Sequence, residues 1–314
     1  MEEKKEIDLK YKDKKETLMG TVLGFFIGLA IIVPGISGST MAIIFKLYDK
    51  LLYAIGNLIN KFKYSFLFLL PILVGAILGF SLGFFGIQFL LDLLPFAIMA
   101  FFAGLMIGAF PAVTDEIRKE KLTLKRILLF LLGLSIPIVI GITSTFVQGG
   151  NNSLENLKFY HYILFLFLGY VVAITQVVPG LSATALLMAF GYFVPIMESV
   201  KLSYIQNNPS VLLVYACLVI GFIIGLISFS KILTLIFNKG RKTAFFMIVG
   251  LSLGSIVSMF FNPDIYKTYL SWANGDVLFG LDLGLGIGLL IIGAIIAYLF
   301  VKYERNHFIE LEKE

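Results

Sequence analysis

Residues 33–37 read Val-Pro-Gly-Ile-Ser, and residues 178–182 read Val-Pro-Gly-Leu-Ser. Each copy lies inside a long apolar stretch. Proline lacks a backbone donor and disfavours helix in the residue before it, and glycine relaxes the backbone. The two copies therefore predict two helix breaks. Small residues, several with hydroxyl groups, follow both breaks: Ser37, Gly38, Ser39 and Thr40 after the first, and Ser182, Ala183 and Thr184 after the second.

The chain as a whole has the composition of a membrane protein. Of its 314 residues, 59% are hydrophobic and 14% are charged, whereas soluble domains average about 25% charged residues. Nearly uncharged stretches of roughly 20 residues match a bilayer core about 30 Å thick. We predict an all-α polytopic membrane protein.

The chain also repeats itself. The two Val-Pro-Gly motifs lie 145 residues apart, and glycine pairs spaced by four recur at an offset of 146: Gly75 and Gly79 match Gly221 and Gly225, and Gly104 and Gly108 match Gly250 and Gly254. Such glycine pairs are typical of closely packed helices. We predict two repeats, each a helix hairpin broken at the motif plus three transmembrane helices. The expected segments are a tail at 1–17, repeat 1 at 18–147, a connector at 148–161, repeat 2 at 162–302 and a tail at 303–314.

The positions of Lys and Arg favour inverted rather than parallel repeats. Cytoplasmic loops retain an excess of these residues. With both tails in the cytosol and the halves in opposite orientation, only Lys158, Lys201 and Lys267 lie outside, and the other 22 of the 25 cations lie inside. We therefore expect inverted-topology repeats, two cytosolic tails and an extracellular connector.

The segments around each motif are short. The 16 apolar residues before Pro34 span about 24 Å as a helix, and the 13 after Gly35 span about 20 Å. This length predicts re-entrant hairpins, one from each side of the membrane. The second-half arms have 17 residues each, so full crossings stay open as an alternative.

The residues after the breaks are candidates for an anion site. The first four N–H groups of a helix lack intrahelical partners, and hydroxyl groups add donors. Secondary transporters built from inverted repeats hold anionic substrates at such interrupted helices. Two plainer interpretations stay open: Ser and Thr as simple helix caps, and Gln176 as a partner in an interhelical hydrogen bond. The candidate substrate-binding residues are Pro34, Gly35, Ser37, Gly38, Ser39, Thr40, Gln176, Pro179, Gly180, Ser182 and Thr184.

Residues 30–40, Ala-Ile-Ile-Val-Pro-Gly-Ile-Ser-Gly-Ser-Thr, resemble the bacterial PopT family of polyprenyl-phosphate transporters. The second motif and the glycine-rich helices extend the resemblance to about residues 18–302. The chain departs from the family pattern at Ile31, where members often carry an acidic residue, and at Ala183-Thr184, where a second Gly-Ser pair is common. The resemblance implies a flippase in the bacterial cytoplasmic membrane that returns undecaprenyl phosphate for cell-envelope and cell-wall synthesis.

The residues present in the sequence also bear on two other classes of protein, a membrane enzyme and an anion channel. An enzyme acting on phosphate needs a base, a nucleophile or metal-binding carboxylates, and the hydroxyls after the breaks have no His, Asp or Glu nearby in sequence. With one Cys and two His residues, we expect no catalytic residue, metal or cofactor.

The net charge of +5 follows from membrane topology and requires no nucleic-acid partner. A small-anion channel or exchanger on the same repeats stays open. The expected partners are the lipid substrate, membrane lipids, and a proton or sodium gradient.

Overall fold

The computed structural model describes residues 8–32, 38–45, 47–147, 153–155, 157–179, 181, 183–261, 263–275 and 279–311. Within these ranges every regular element is a helix. The first half contains α1 (Lys14–Ile32), α2 (Gly38–Ile44), α3 (Tyr48–Gly56), α4 (Phe62–Leu93), α5 (Pro95–Thr114), a short 3-10 helix (Asp115–Ile117) and α6 (Leu124–Val147). The second half contains α7 (Phe159–Val177), α8 (Ala183–Ala189), α9 (Phe193–Ser199), α10 (Leu202–Asn207), α11 (Val211–Ser258), α12 (Pro263–Ala273) and α13 (Phe279–Leu311).

Six of the described helices contain stretches long and apolar enough to cross a bilayer: α4, α5, α6, α7, α11 and α13. Their outer faces expose large apolar side chains, among them Ile77, Leu128, Ile223 and Ile291. Such exposure is unfavourable in water and costs nothing against lipid tails. The protein is therefore an all-helical, multi-pass membrane protein, as its composition predicts.

Helix α11 consists of two arms joined at a turn. Its 48 residues would extend about 72 Å as one straight helix, more than twice the bilayer core. The backbone at Gly240 is not helical, with φ 179° and ψ 63°. The rings of Phe237 and Phe245 stack with their centroids 5.3 Å apart, whereas eight residues along a straight helix would separate them by about 12 Å. The chain therefore turns at Gly240, between an N-terminal arm (211–239) and a C-terminal arm (241–258).

In each half, glycines allow one pair of helices to touch backbone to backbone. A Cβ built on any of these glycines would collide with a main-chain carbonyl of the neighbouring helix. Helix α1 meets α4 through Gly24 with Ile72 and Gly75 with Thr21, and α7 meets the N-terminal arm of α11 through Gly169 with Leu218 and Gly221 with Leu166. The second set of contacts repeats the first at the offsets of 145 and 146 seen in the sequence.

Two further pairs join the halves to each other. Helix α5 packs on α13 of the second half, and the C-terminal arm of α11 packs on α6 of the first half. The contacts are Gly104 with Leu290 and Gly293 with Phe101, and Gly250 with Phe130 and Gly133 with Met247. The sequence prediction that the spaced glycines mark close helix packing is thus confirmed.

Both motifs lie where a long helix ends. The first lies between the end of α1 at Ile32 and the start of α2 at Gly38, and residues 33–37 are outside the described part of the chain. At the second, α7 ends at Val177 and Pro179 forms a turn. The helices that follow, α2 and α8, have seven residues each.

The two short helices end in the same way. The N–H of Leu47 donates to the carbonyl of Ala42 at 2.9 Å, and the N–H of Tyr192 donates to the carbonyl of Leu187 at 3.0 Å. This bond to the fifth preceding carbonyl closes a helix C-terminus. Gly191 supplies the left-handed backbone, with φ 73°, that such an ending requires.

Helix α12 is an element that the sequence did not predict. It occupies residues Pro263–Ala273, inside a gap expected to be an extracellular loop, and it packs against α5 and α6. Its mixed composition, with Lys267 and several aromatic residues, breaks the apolar pattern that marks a spanning helix.

Candidate functional site

The predicted site residues divide into two groups. Five of them lie outside the described residues: Pro34, Gly35, Ser37, Gly180 and Ser182. The others are placed: Gly38, Ser39 and Thr40 form the first turn of α2, Gln176 is next to last in α7, Pro179 follows α7, and Thr184 is second in α8.

The start of α2 lies against the end of α7. A Cβ built on Gly38 would lie 3.5 Å from Oε1 of Gln176 and 2.9 Å from Cγ2 of Ile27. Ser39, the next residue, is only 1% exposed. The amide of Gln176, from the second half, therefore shares a buried region with the segment that follows the first break.

The packing of the two short helices is reciprocal. Helix α2 of the first half packs against α7 of the second, and α8 of the second half packs against α1 of the first. Thr184 on α8 is buried, as is Pro179 just before it. Each short helix thus lies against the long helix that precedes the break in the other half.

The polar side chains at the end of α7 bond to each other. Nε2 of Gln176 donates to Oγ1 of Thr175 at 3.4 Å. The hydroxyl of Thr175 in turn donates to the carbonyl of Val172 at 2.7 Å. This hydrogen bond of Gln176 lies within α7, and its Oε1 atom lies near the start of α2.

Tyr48, the first residue of α3, reaches the same region from the side. Its hydroxyl donates to the carbonyl of Val177 at 2.8 Å, and the side chain is buried. This contact joins the two halves directly at the second helix break. No sequence signal marks Tyr48, because its partner lies 129 residues away.

A charged cluster surrounds the turn of α11. The guanidinium of Arg241 donates to both carboxylate oxygens of Glu116, at 3.0 and 2.8 Å, and to Asp49 at 2.7 Å. The same group stacks over the rings of Phe237 and Phe245. Arg241 therefore connects the turn of α11 to the 3-10 helix and to the first turn of α3.

A second group of charges lies beside this cluster. The carboxylate of Glu120 accepts hydrogen bonds from Lys242 and from Arg126. The hydrogen bond from Lys242, followed by that from Arg126, lowers the pKa of Glu120 below its ordinary value. Together the two groups tie the segment between α5 and α6 to the turn of α11.

Asp282, in the first turn of α13, is a buried carboxylate that the sequence analysis did not single out. It accepts hydrogen bonds from the backbone N–H groups of Phe96 and Ala97, and so caps the start of α5. The Phe96 ring packs against Tyr269 and Trp272 of α12. The available signal was an acidic residue at the edge of the apolar run at 281–301.

The fold and this region define the class of protein. Helices interrupted inside an integral membrane protein, with buried hydroxyls and a half-buried amide beside the interruptions, are the architecture of membrane transporters. The chain belongs to the undecaprenyl phosphate translocase-like family, which matches residues 27–275.

Two curated proteins are similar to this chain over most of their length, and both are named polyprenyl-phosphate transporter. The protein from Staphylococcus aureus is 27% identical over 264 residues, covering 82% of this chain and 90% of the relative. The protein from Vibrio cholerae is 28% identical over 269 residues, covering 79% of this chain and 78% of the relative. No solved structure matches the chain.

Proposed function

We propose that this protein transports polyprenyl phosphate, of the undecaprenyl type, across the bacterial cytoplasmic membrane and is not an enzyme. Membership of the translocase-like family and the two relatives named as transporters support the substrate class. Return of this lipid carrier would serve cell-envelope synthesis. The protein would act as a flippase for the lipid phosphate.

The observation that carries the proposal is the reciprocal packing of the short helices. Helix α2 lies against α7 and α8 lies against α1, which supports a site to which both halves contribute. A single anion between them would meet donors from both halves. A site composed of two half-sites suits a carrier whose halves move relative to each other.

In the proposed site the lipid phosphate is held by the amides after Gly35 and Gly180 and by hydroxyls after each break. The hydroxyl donors are Ser37, Thr40, Ser182 and Thr184. Backbone N–H groups at the start of a helix and the hydroxyls beside them are the kind of donors that an anion takes. The burial of Ser39 and Thr184 supports a site away from bulk water, where each such bond is strengthened.

We propose that the halves are inverted repeats with re-entrant hairpins. Helices α2 and α8, with seven residues each, extend about 10 Å, one third of the bilayer core. The matched glycine contacts at offsets of 145 and 146 support a duplication, and the 22 to 3 division of cations supports opposite orientations with both termini in the cytosol.

Inward movement of the lipid phosphate requires a source of energy. An anion moved toward a negative cytoplasm works against about 2.3 kcal/mol per charge per 100 mV. A phosphate monoester has its second pKa at about 6, so protonation lets it cross as a monoanion. We propose that a proton or sodium gradient drives net uptake.

The proposed site is tested by replacing Ser37 and Ser182 together with Ala. Hydrogen bonds to a charged group contribute about 1.5 to 3 kcal/mol each, so binding of a short-chain polyprenyl phosphate should weaken more than tenfold. The matched control replaces Ser144 and Ser258, whose buried hydroxyls donate to carbonyls of their own helices. Unchanged affinity in the first double variant would return these serines to a capping role.

A further inference from the structure

We infer that Tyr48 is a positioning residue for the proposed phosphate site: its hydroxyl fixes the end of α7, the helix that leads into the second of the two proposed half-sites. The inference rests on the proposed function, because it assigns Tyr48 to the second of the two half-sites. In this role Tyr48 acts through the end of α7.

The last carbonyl of α7 takes its hydrogen-bond donor from outside the helix. The N–H of Val178 bonds to the carbonyl of Ile174 at 2.8 Å, as in a regular helix. Helix α7 ends at Val177, so the carbonyl of Val177 receives no N–H donor from a following turn of the helix. The hydroxyl of Tyr48 supplies a donor to the carbonyl of Val177 at 2.8 Å, where both residues are buried. A buried carbonyl left without a donor is costly, so this bond stabilises the observed end of α7.

The first turn of α3 connects this bond to the turn of α11. Asp49, next to Tyr48, accepts a hydrogen bond from Arg241 at 2.7 Å. The Tyr48 ring also packs edge to face on Phe237, with centroids 6.1 Å apart. A displacement of the α11 turn would therefore shift α3 and pull on the carbonyl of Val177.

The hydrogen bond from Tyr48 has no counterpart from α9 in the second half. At the offset of 145, the position equivalent to Tyr48 in the second half is Phe193, which has no hydroxyl. The same bond therefore cannot form from the start of α9. Loss of the Tyr48 hydroxyl should loosen the second break specifically.

The first experiment compares Tyr48→Phe with Tyr11→Phe in the full-length protein in nanodiscs. Tyr11 is chemically matched, because its hydroxyl donates to the carbonyl of Phe68 at 2.7 Å between the N-terminal segment and α4. We expect Tyr48→Phe to weaken binding of a short-chain polyprenyl phosphate about threefold to tenfold, and Tyr11→Phe to leave it unchanged. Thermal unfolding of both variants is measured beside binding. Equal affinities for the two variants would overturn the inference.

The second experiment measures the accessibility of residue 181, which follows the end of α7. Leu181, the described residue within the second break, is replaced by Cys in a Cys217→Ala background, and thiol labelling is timed with and without Tyr48→Phe. We expect labelling to be several times faster without the hydroxyl, and unchanged by Tyr11→Phe. Equal rates with and without Tyr48→Phe would overturn the inference. If the unmodified protein binds no polyprenyl phosphate, the proposed function fails on its own, and the labelling rates still decide whether Tyr48 holds the break.

Discussion

Replacing Asp282 with Ala should destabilise the protein by removing the cap of α5. The carboxylate accepts a hydrogen bond from the N–H of Ala97 at 2.8 Å and one from the N–H of Phe96 at 3.3 Å. Asp282 is 2% exposed, so water cannot replace it. Pro95, at the start of α5, has no N–H, so Asp282 takes the first two N–H groups that the helix offers.

The size of the loss follows from these two bonds. A hydrogen bond to a charged group contributes about 1.5 to 3 kcal/mol. The bond from Ala97 has a normal length, whereas the bond from Phe96 is longer than the usual range. We therefore assign the Phe96 bond about half of that free-energy contribution. The expected loss for Asp282→Ala is roughly 2 to 4 kcal/mol. Asp282→Asn keeps a neutral acceptor of the same shape and should lose about half as much.

The assay is denaturant unfolding in detergent, with Asp13→Ala as the matched control. Asp13 also caps a helix, since Oδ1 accepts the N–H of Glu16 at 2.7 Å, but this bond is exposed. An exposed cap of this kind contributes about 0.5 to 2 kcal/mol. Equal losses for Asp13→Ala and Asp282→Ala, or equal stability of Asp282→Asn and the unmodified protein, would refute the reasoning from burial and charge.

Two further predictions concern topology and pH. In a Cys217→Ala background, single cysteines should label from outside intact cells at positions 158, 201 and 267 but not at 63 and 121, because positive charge is retained inside; labelling at 121 without labelling at 267 would reverse the orientation. The pKa of Glu120 is lowered by its hydrogen bond from Lys242, so its contribution to stability is present above the ordinary pKa of glutamate and is lost as the pH falls through the lowered value. Glu120→Gln should flatten the pH dependence of unfolding in that acidic range and leave it unchanged near neutrality.

Much of the architecture follows from short-range patterns in the sequence. Nearly uncharged runs of spanning length mark α4 to α6 and α13, and the cations at 239, 241 and 242 mark the turn that divides α11. The end of α7 beside Pro179 follows from the missing N–H of proline. Glycines at spacing four, such as Gly75 and Gly79, lie at helix contacts because only glycine lets two backbones approach so closely.

The contacts that hold the candidate site together do not follow from such patterns. Tyr48 and Val177 are 129 residues apart, and Asp282 and Ala97 are 185 apart. Their pairing depends on how the long helices pack, which no local periodicity encodes. The position of Gln176 beside Gly38 likewise requires the two halves to meet. Helix α12 escapes prediction because its 11 residues, Lys267 among them, are too few and too polar for the apolar run that marks a spanning helix.

The most direct test of polyprenyl phosphate transport is uptake of labelled undecaprenyl phosphate by proteoliposomes that contain the purified protein, with voltage clamped and a pH or sodium gradient imposed. We predict protein-dependent movement of the lipid, with higher steady accumulation when one of the gradients is present, because the moving anion must be neutralised or driven. Equal accumulation with and without each gradient would contradict the coupling. No movement of the lipid under any gradient, together with permeation of chloride, would contradict lipid transport itself and indicate an anion channel.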